Sequence, residues 1–231
     1  MDEIRKDEVD RIMANLEWAE TEEWYHRVIL WLTEMYEETP HSEYVKHHLA
    51  LALIGHAVGF KLNDRSWECQ KETFESIQDA LQIDPAPQLQ PEIHGMAVMG
   101  LFMSSLSLGI MASKKADFEK EAYALEAVEF ALTFRDEDCM KKDIWLPDRA
   151  LPAVAALMSF HLSGQLIRRG ADYYDTALKY INKSLDYCRF EQITEEDYYP
   201  NLGPDGPKQP LLSRREIIER RTELIVRMMG G

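Results

Sequence analysis

The chain has 231 residues, 45% of them hydrophobic, which is enough apolar material for a substantial core. Its formal net charge of −15 at pH 7 argues against binding to nucleic acid or to an anionic membrane surface, because both require clustered lysine and arginine. Three cysteines at no metal-binding spacing, and a charged N-terminus without an apolar signal segment, predict free thiols and a cytoplasmic protein.

Helical periodicity is present from the first residues of the chain. The apolar positions predict two helices within residues 1–40, and Pro40 is expected to end the second one, because proline disfavours helical geometry at the residue before it. Residues 42–85 then predict a helix, a short polar turn (NDRS) and a second helix. The same hairpin pattern returns in residues 91–134 and 148–190.

Local signals also predict where the later helices begin and end. Asp117 and Asp172 are expected to cap the second helices of the second and third hairpins, and Gly170 is expected to end the first helix of the third hairpin. Residues 93–112 contain no Asp, Glu, Lys or Arg and are long enough to span a bilayer. Their serines, glycines and histidine favour a buried central helix instead.

The C-terminal residues depart from the hairpin pattern. Residues 191–212 contain four prolines and two glycines and predict a loop, with Tyr198 and Tyr199 as candidate anchors if the loop folds back over the hairpins. A capping box from Ser213 to Glu216 opens the last helix, residues 213–230, which is expected to cap the array.

The three hairpins share small residues at corresponding places, which indicates an internal repeat. The spacing between them is about 51–53 residues, in the range typical of stacked supersecondary units. Small side chains allow two helices to approach closely, so these positions are expected to be buried where helices cross. They are Ala80, Ala131 and Ser184 in the second helices and Gly59, Gly109 and Gly164 in the first helices.

The second helix of the first hairpin, ending in FESIQDALQIDP, resembles the tetratricopeptide repeat. That family has a glycine in its first helix, small and apolar residues in its second helix, and a closing proline. The resemblance covers residues 21–190. It implies a single all-α domain of about eight helices, stacked as an α-solenoid; a compact all-α bundle is the alternative.

The leading functional interpretation is a non-enzymatic scaffold or adaptor without a cofactor. It would hold a protein or peptide in a groove lined by the first helices, and the acidic chain favours a basic or amphipathic ligand. The candidate lining residues are Tyr44, His48, His94, His161 and Gln165.

Two other interpretations remain open. The motif Glu23-x2-His26 matches half of a di-iron carboxylate site, and the acids Glu72 and Glu75 resemble those of all-α nucleotide pyrophosphatases, so an all-α metal-dependent enzyme is one alternative. A homo-oligomer, such as a homodimer that pairs through the tryptophan-rich residues 18–36, is the other.

Overall fold

The computed structural model describes residues 3–16, 21–85, 91–115, 117–137, 146–199 and 209–230. The prediction of an all-α protein is confirmed, because these residues are mostly α-helical. The ten α-helices are α1 (Glu3–Leu16), α2 (Glu22–Glu38), α3 (Glu43–His56), α4 (Trp67–Ile83), α5 (Pro91–Ser113), α6 (Phe118–Leu132), α7 (Leu151–Arg169), α8 (Tyr174–Tyr187), α9 (Glu195–Tyr198) and α10 (Arg214–Gly230) within this described part.

Shorter elements join some of these helices. A π-helical turn extends α3 over Ala57–Lys61, a second π-helical turn precedes α7 over Leu146–Ala150, and a 3-10 turn spans Ala171–Tyr173. Two short antiparallel strands, β1 (Gln192–Thr194) and β2 (Pro210–Ser213), lie inside the segment that the sequence predicts as a loop.

Side-chain caps explain several of the helix starts. The Ser42 hydroxyl accepts a hydrogen bond from the Val45 amide at the start of α3, and the Asp117 carboxylate accepts two amide hydrogen bonds at the start of α6. Gly170, with a φ of 114°, follows α7 as predicted. The prediction that Asp172 caps α8 is wrong: Asp172 lies inside the 3-10 turn, and α8 begins without a side-chain cap.

The chain forms two compact units, and the boundary between Ser104 and Ser105 falls inside α5. In the first unit α2 packs against α3, α3 packs against α4, and α1 packs against α2. Its core is built from apolar side chains of α1, α2 and α3, and α3 is buried on more than one face. Fully or nearly fully buried members are Val9, Val28, Leu32, Val45, Leu49 and Ala52.

The second unit is organised around α7. This helix packs against α6 and α8, and α8 packs in turn against α10. Residues 151–159 of α7 are buried without interruption, which is the burial expected of a helix covered on all sides. Among the buried residues of α7 is Ala156, whose carbonyl oxygen accepts a hydrogen bond from the Ser184 hydroxyl of α8 at 2.8 Å.

The small residues of the second helices are buried as predicted, since Ala80, Ala131 and Ser184 are all inaccessible to solvent. The predicted equivalence of the glycines is only partly right. A Cβ added at Gly109 would collide with the side chain of Val154, so this glycine does mark a close helix crossing, whereas Gly59 is exposed with no atom within 4 Å of an added Cβ.

Two helical stretches, Glu92–Ser113 and Leu146–Arg169, are long and apolar enough to cross a membrane by length and composition alone. Each stretch contains an apolar segment of 18 residues, and 61% of the first segment and 78% of the second are buried inside the protein. Buried core helices pass the same test, so the two stretches are weak support for a membrane-spanning role.

Of the residues between α8 and α10, those of α9 and its flanks form polar contacts with other parts of the second unit. Thr194 and Asp197 form a capping box around α9, and the buried Asp197 carboxylate pairs with Arg149 at 2.6 Å. Tyr198 is buried, and its hydroxyl donates to the Gly109 carbonyl at 3.2 Å and contacts Ser113 Oγ at 2.6 Å.

Candidate functional site

In the first unit, two of the residues predicted to line a groove lie side by side. The Tyr44 and His48 rings are 4.3 Å apart, His48 Nδ1 donates to the Tyr44 carbonyl at 2.8 Å, and the Tyr44 hydroxyl is hydrogen-bonded to Asp10. That hydrogen bond raises the pKa of Tyr44 to about 12, while burial, with His47 nearby, lowers the pKa of His48. His94, also predicted to line the groove, is buried in α5.

In the second unit, His161 and Gln165 both contact one buried carboxylate. Gln165 Nε2 donates to Glu121 Oε2 at 2.7 Å, and His161 Nδ1 lies 3.4 Å from Glu121 Oε1. Glu121 is inaccessible to solvent on α6, and both partners project from α7. The two predicted groove residues therefore lie against a buried acid where α6 packs against α7, and only Gln165 forms a hydrogen bond with it.

A second pairing of a glutamate with a histidine forms a metal-ligand set in the first unit. Ligand atoms of Glu22, His26 and His56 all lie within 4.8 Å of one another. Glu22 and His26 are four residues apart on α2, so they share one face of that helix, and His56 ends α3 opposite them. The His26 and His56 rings are 4.6 Å apart.

His56 is the most enclosed member of this set. Its side chain is 3% exposed, and its Nε2 lies 3.5 Å from Glu22 Oε1 without forming a hydrogen bond to any residue that the structure describes. Burial, together with the nearby His26 ring, lowers the pKa of His56, although Glu22 opposes that shift.

A lysine completes the surroundings of the cluster. Lys61, in the π-helical turn that follows His56, places its Nζ 2.6 Å from Glu22 Oε1 and 3.3 Å from Glu72 Oε2. The hydrogen bond from Lys61 is the main cause of the lowered pKa of Glu22. Turns of the π type are frequent at functional sites, where they redirect side chains.

The sequence motif Glu23-x2-His26 does not describe this cluster. Glu23 forms an exposed ion pair with Arg27 at 2.6 Å, and the adjacent Glu22 turns towards the histidines. The signal that could have found the cluster is the four-residue spacing of Glu22 and His26. The contribution of His56 depends on tertiary packing and has no local signal.

A further surface feature lies on α10. Its inner face buries Ile217 and Leu224, and its outer face carries Ile218, Val226 and Met229, which are 49%, 63% and 83% exposed. A shallow groove of about 500 Å³ runs along this outer face and is bordered by acidic side chains and one arginine; its lining is Ile218, Glu219, Thr222, Glu223, Val226 and Arg227.

No protein-family model, curated protein or solved structure matches the chain.

Proposed function

We propose that this protein is a cytoplasmic, non-enzymatic interaction scaffold that binds an amphipathic helix of a partner protein along the outer face of α10. The observation that carries the proposal is the exposed apolar stripe of Ile218, Val226 and Met229 on a helix whose opposite face is already buried. The spacings of eight and three residues align these side chains on one side of the helix.

A helix that only caps a stacked array needs a polar outer face. The outer face of α10 instead exposes three large apolar side chains beside polar ones such as Thr222 and the Arg215–Glu219 pair. The stripe therefore supports the role of a docking surface, on which apolar anchors along one face of a partner helix would pack.

The charges beside the groove favour one kind of ligand. Glu219, Glu223 and Arg227 border the apolar stripe, and the whole chain carries a formal charge of −15. Glu219 already pairs with Arg215 at 2.7 Å, so a partner helix with lysine or arginine next to its apolar residues would pair with Glu223. Charge complementarity of this sort mainly sets specificity and association rate, and the apolar anchors supply the affinity.

The same proposal includes a tetratricopeptide-like stacking of the helical hairpins. The buried small residues Ala80, Ala131 and Ser184 support it, because they occupy corresponding repeat positions. Within the first unit, Tyr44 and His48 lie side by side on α3 and belong to a second docking surface on this proposal, whereas His94 is buried in α5.

A library of displayed amphipathic peptides, selected against the full chain, tests the proposal. The selected peptides are expected to carry apolar residues at helical spacing with basic neighbours. Their affinity should fall by at least about tenfold in Val226→Glu, because a central apolar anchor is replaced by a charge. Leu30→Glu is the matched control, since Leu30 is 62% exposed on α2 and Val226 is 63% exposed.

The outcomes separate the interpretations. Peptides that lose affinity for Val226→Glu and keep it for Leu30→Glu support docking on α10. Failure to select any peptide, or peptides that bind Val226→Glu as tightly as wild type, would overturn it.

A second candidate function, a homo-oligomer that pairs through α2, is favoured by one observation. Leu30 and Trp31 are 62% and 41% exposed on that helix. Sedimentation measurements at rising concentration test it: a dimer that Leu30→Glu dissociates supports pairing through α2, and a monomer at every concentration excludes it.

A further inference from the structure

The glutamate and two histidines next to the π-helical turn have the composition of a transition-metal site. Two imidazole nitrogens and one carboxylate oxygen are ligands that Zn²⁺, Fe²⁺, Co²⁺ and Ni²⁺ accept, whereas Mg²⁺ and Ca²⁺ prefer oxygen ligands alone. The three residues come from two helices packed against each other, α2 and α3, so a bound ion would join elements that already form one core.

The distances leave room for one ion. A tetrahedral zinc with bonds of about 2.0–2.1 Å holds its ligand atoms about 3.3 Å apart. His56 Nε2 and Glu22 Oε1 are 3.5 Å apart, close to that separation. Since no two ligand atoms of the set are more than 4.8 Å apart, the largest adjustment required is about 1.5 Å. His26 is the exposed member of the set, so its side chain is the one expected to make that adjustment.

The buried nitrogen of His56 supplies an independent indication of a ligand. A buried polar atom without a hydrogen-bond partner is destabilising, and native proteins leave few such atoms. His56 Nε2 forms no hydrogen bond with the described residues and faces the Glu22 carboxylate. A metal ion between these two atoms would satisfy both.

Lys61 supplies a positive charge beside the carboxylate of Glu22. Its ammonium group bridges Glu22 at 2.6 Å and Glu72 at 3.3 Å, so a positive charge already lies beside the carboxylate ligand. When a divalent ion binds, Glu22 can turn to the ion while Lys61 keeps its contact with Glu72. The lysine thus competes with the metal for one ligand.

We propose that Glu22, His26 and His56 bind one divalent first-row transition-metal ion, for which zinc is the probe. Three protein ligands leave at least one coordination position for water or for a bound molecule. This site is in the first unit and is independent of the docking surface on α10, so either proposal can fail without the other.

Calorimetric titration of the chelator-treated full chain with Zn²⁺ tests the site. Wild type is expected to bind one ion per chain. Glu22→Gln and His26→Gln are each expected to weaken that binding by at least about tenfold, since even residues that only orient metal ligands contribute that much. Circular dichroism checks that each variant is folded.

Two control variants distinguish ligation from general attraction to an acidic protein. Glu23→Gln removes the same charge one residue away, where the carboxylate pairs with Arg27, and His41→Gln removes an exposed histidine outside the cluster. Both are expected to bind zinc like wild type. Equal losses in Glu22→Gln and Glu23→Gln would overturn the proposal, and so would the absence of saturable binding.

Lys61→Met tests the site through a gain in zinc affinity, which an unfolded variant would not show. Removing the competing ammonium group frees Glu22, so zinc is expected to bind more tightly than in wild type. Unchanged or weaker binding by Lys61→Met would contradict the assigned competition and hence the ligand role of Glu22. A Co²⁺ complex whose absorption spectrum shows thiolate-to-cobalt charge transfer would likewise overturn the site, because none of its ligands is a cysteine.

Discussion

Two glycines that occupy similar places in the sequence repeat are expected to respond in opposite ways to the same substitution. At Gly109, in the interior of α5, an added methyl group collides with Val154 Cγ1 and lies 3.6 Å from Met158 Sδ. At Gly59, in the π-helical turn, an added methyl group meets no atom within 4 Å. Gly109→Ala and Gly59→Ala therefore form a matched pair.

The magnitudes follow from two opposing effects. Alanine stabilises a helix interior by about 0.5–1 kcal/mol relative to glycine, because it has less backbone freedom to lose on folding. Overpacking a filled core costs about 1–3 kcal/mol, and Val154 yields poorly because its β-branched side chain is confined to one rotamer in a helix. Gly109→Ala is thus expected to destabilise by about 0–2.5 kcal/mol, and Gly59→Ala to stabilise by about 0.5–1 kcal/mol.

Urea unfolding followed by circular dichroism measures both variants against wild type. The unfolding midpoint is expected to fall for Gly109→Ala and to rise for Gly59→Ala. If Gly109→Ala stabilised the protein as much as Gly59→Ala does, the close approach of α5 and α7 at Val154 would be wrong, and with it the idea that glycine permits the crossing. The double variant Gly109→Ala with Val154→Ala is the control, since it removes the collision.

Three further contacts can be tested in the same way. Ser184→Ala removes the hydrogen bond to the Ala156 carbonyl and is expected to cost about 1 kcal/mol, whereas Ser184→Leu should cost about 1–3 kcal/mol more by overpacking; urea titration measures both. Asp197→Ala removes the two hydrogen bonds from Thr194 and the ion pair with Arg149, and should destabilise by about 1–3 kcal/mol in that assay. Arg149→Ala combined with it should cost less than the sum of the two single losses. Burial lowers the pKa of His48 in the folded protein, whereas the pKa in the unfolded chain is about 6.5. Protonation near this pH therefore favours the unfolded chain. Wild type should therefore lose stability as the pH falls through about 6.5, by at most about 1.4 kcal/mol per pH unit from this residue, and His48→Gln should lose less; an equal loss in both would contradict the assignment.

The parts of the fold that could be predicted are those determined by neighbouring residues. The capping box at Ser213 and Glu216 forms because both partners lie within one turn. Gly170 ends α7 because its positive φ suits glycine. The cap expected at Asp172 failed because the chain forms a 3-10 turn there first, and the strands β1 and β2 were missed because each is only three or four residues long.

Repeat positions could be predicted for alanines and not for glycines. Ala80 and Ala131 are buried at the corresponding turns of their helices, and the sequence spacing identifies those turns. The glycine of each first helix was assigned by rough correspondence only. Gly59 is exposed, whereas Gly100, which was not selected, would bring a Cβ within 2.7 Å of Ile77. Which glycine faces a neighbouring helix depends on packing that the spacing alone does not contain.

The ligands of the candidate metal site also depend on packing that the sequence does not show. Successive residues on an α-helix are rotated by about 100°, so the choice between Glu22 and Glu23 decides whether the carboxylate meets His56 or solvent. Helix α2 has apolar residues on two faces, and its sequence does not show which face packs against α3. The structure resolves this, since Glu23 pairs with Arg27 and Glu22 points to the histidines.

The π-helical turn accounts for the remaining geometry of that site. In an α-helix, residues five apart are separated by about 140° around the axis, so His56 and Lys61 would point in different directions. In the turn the Leu62 amide donates to the Ala57 carbonyl at 2.9 Å, a bond that spans five residues and widens the helix. The wider turn reduces the angle between His56 and Lys61, and both contact the same Glu22 oxygen. A regular helix could offer Glu22 one of these partners, and the turn allows it to have both, which is why a competing cation and a metal ligand can share one carboxylate.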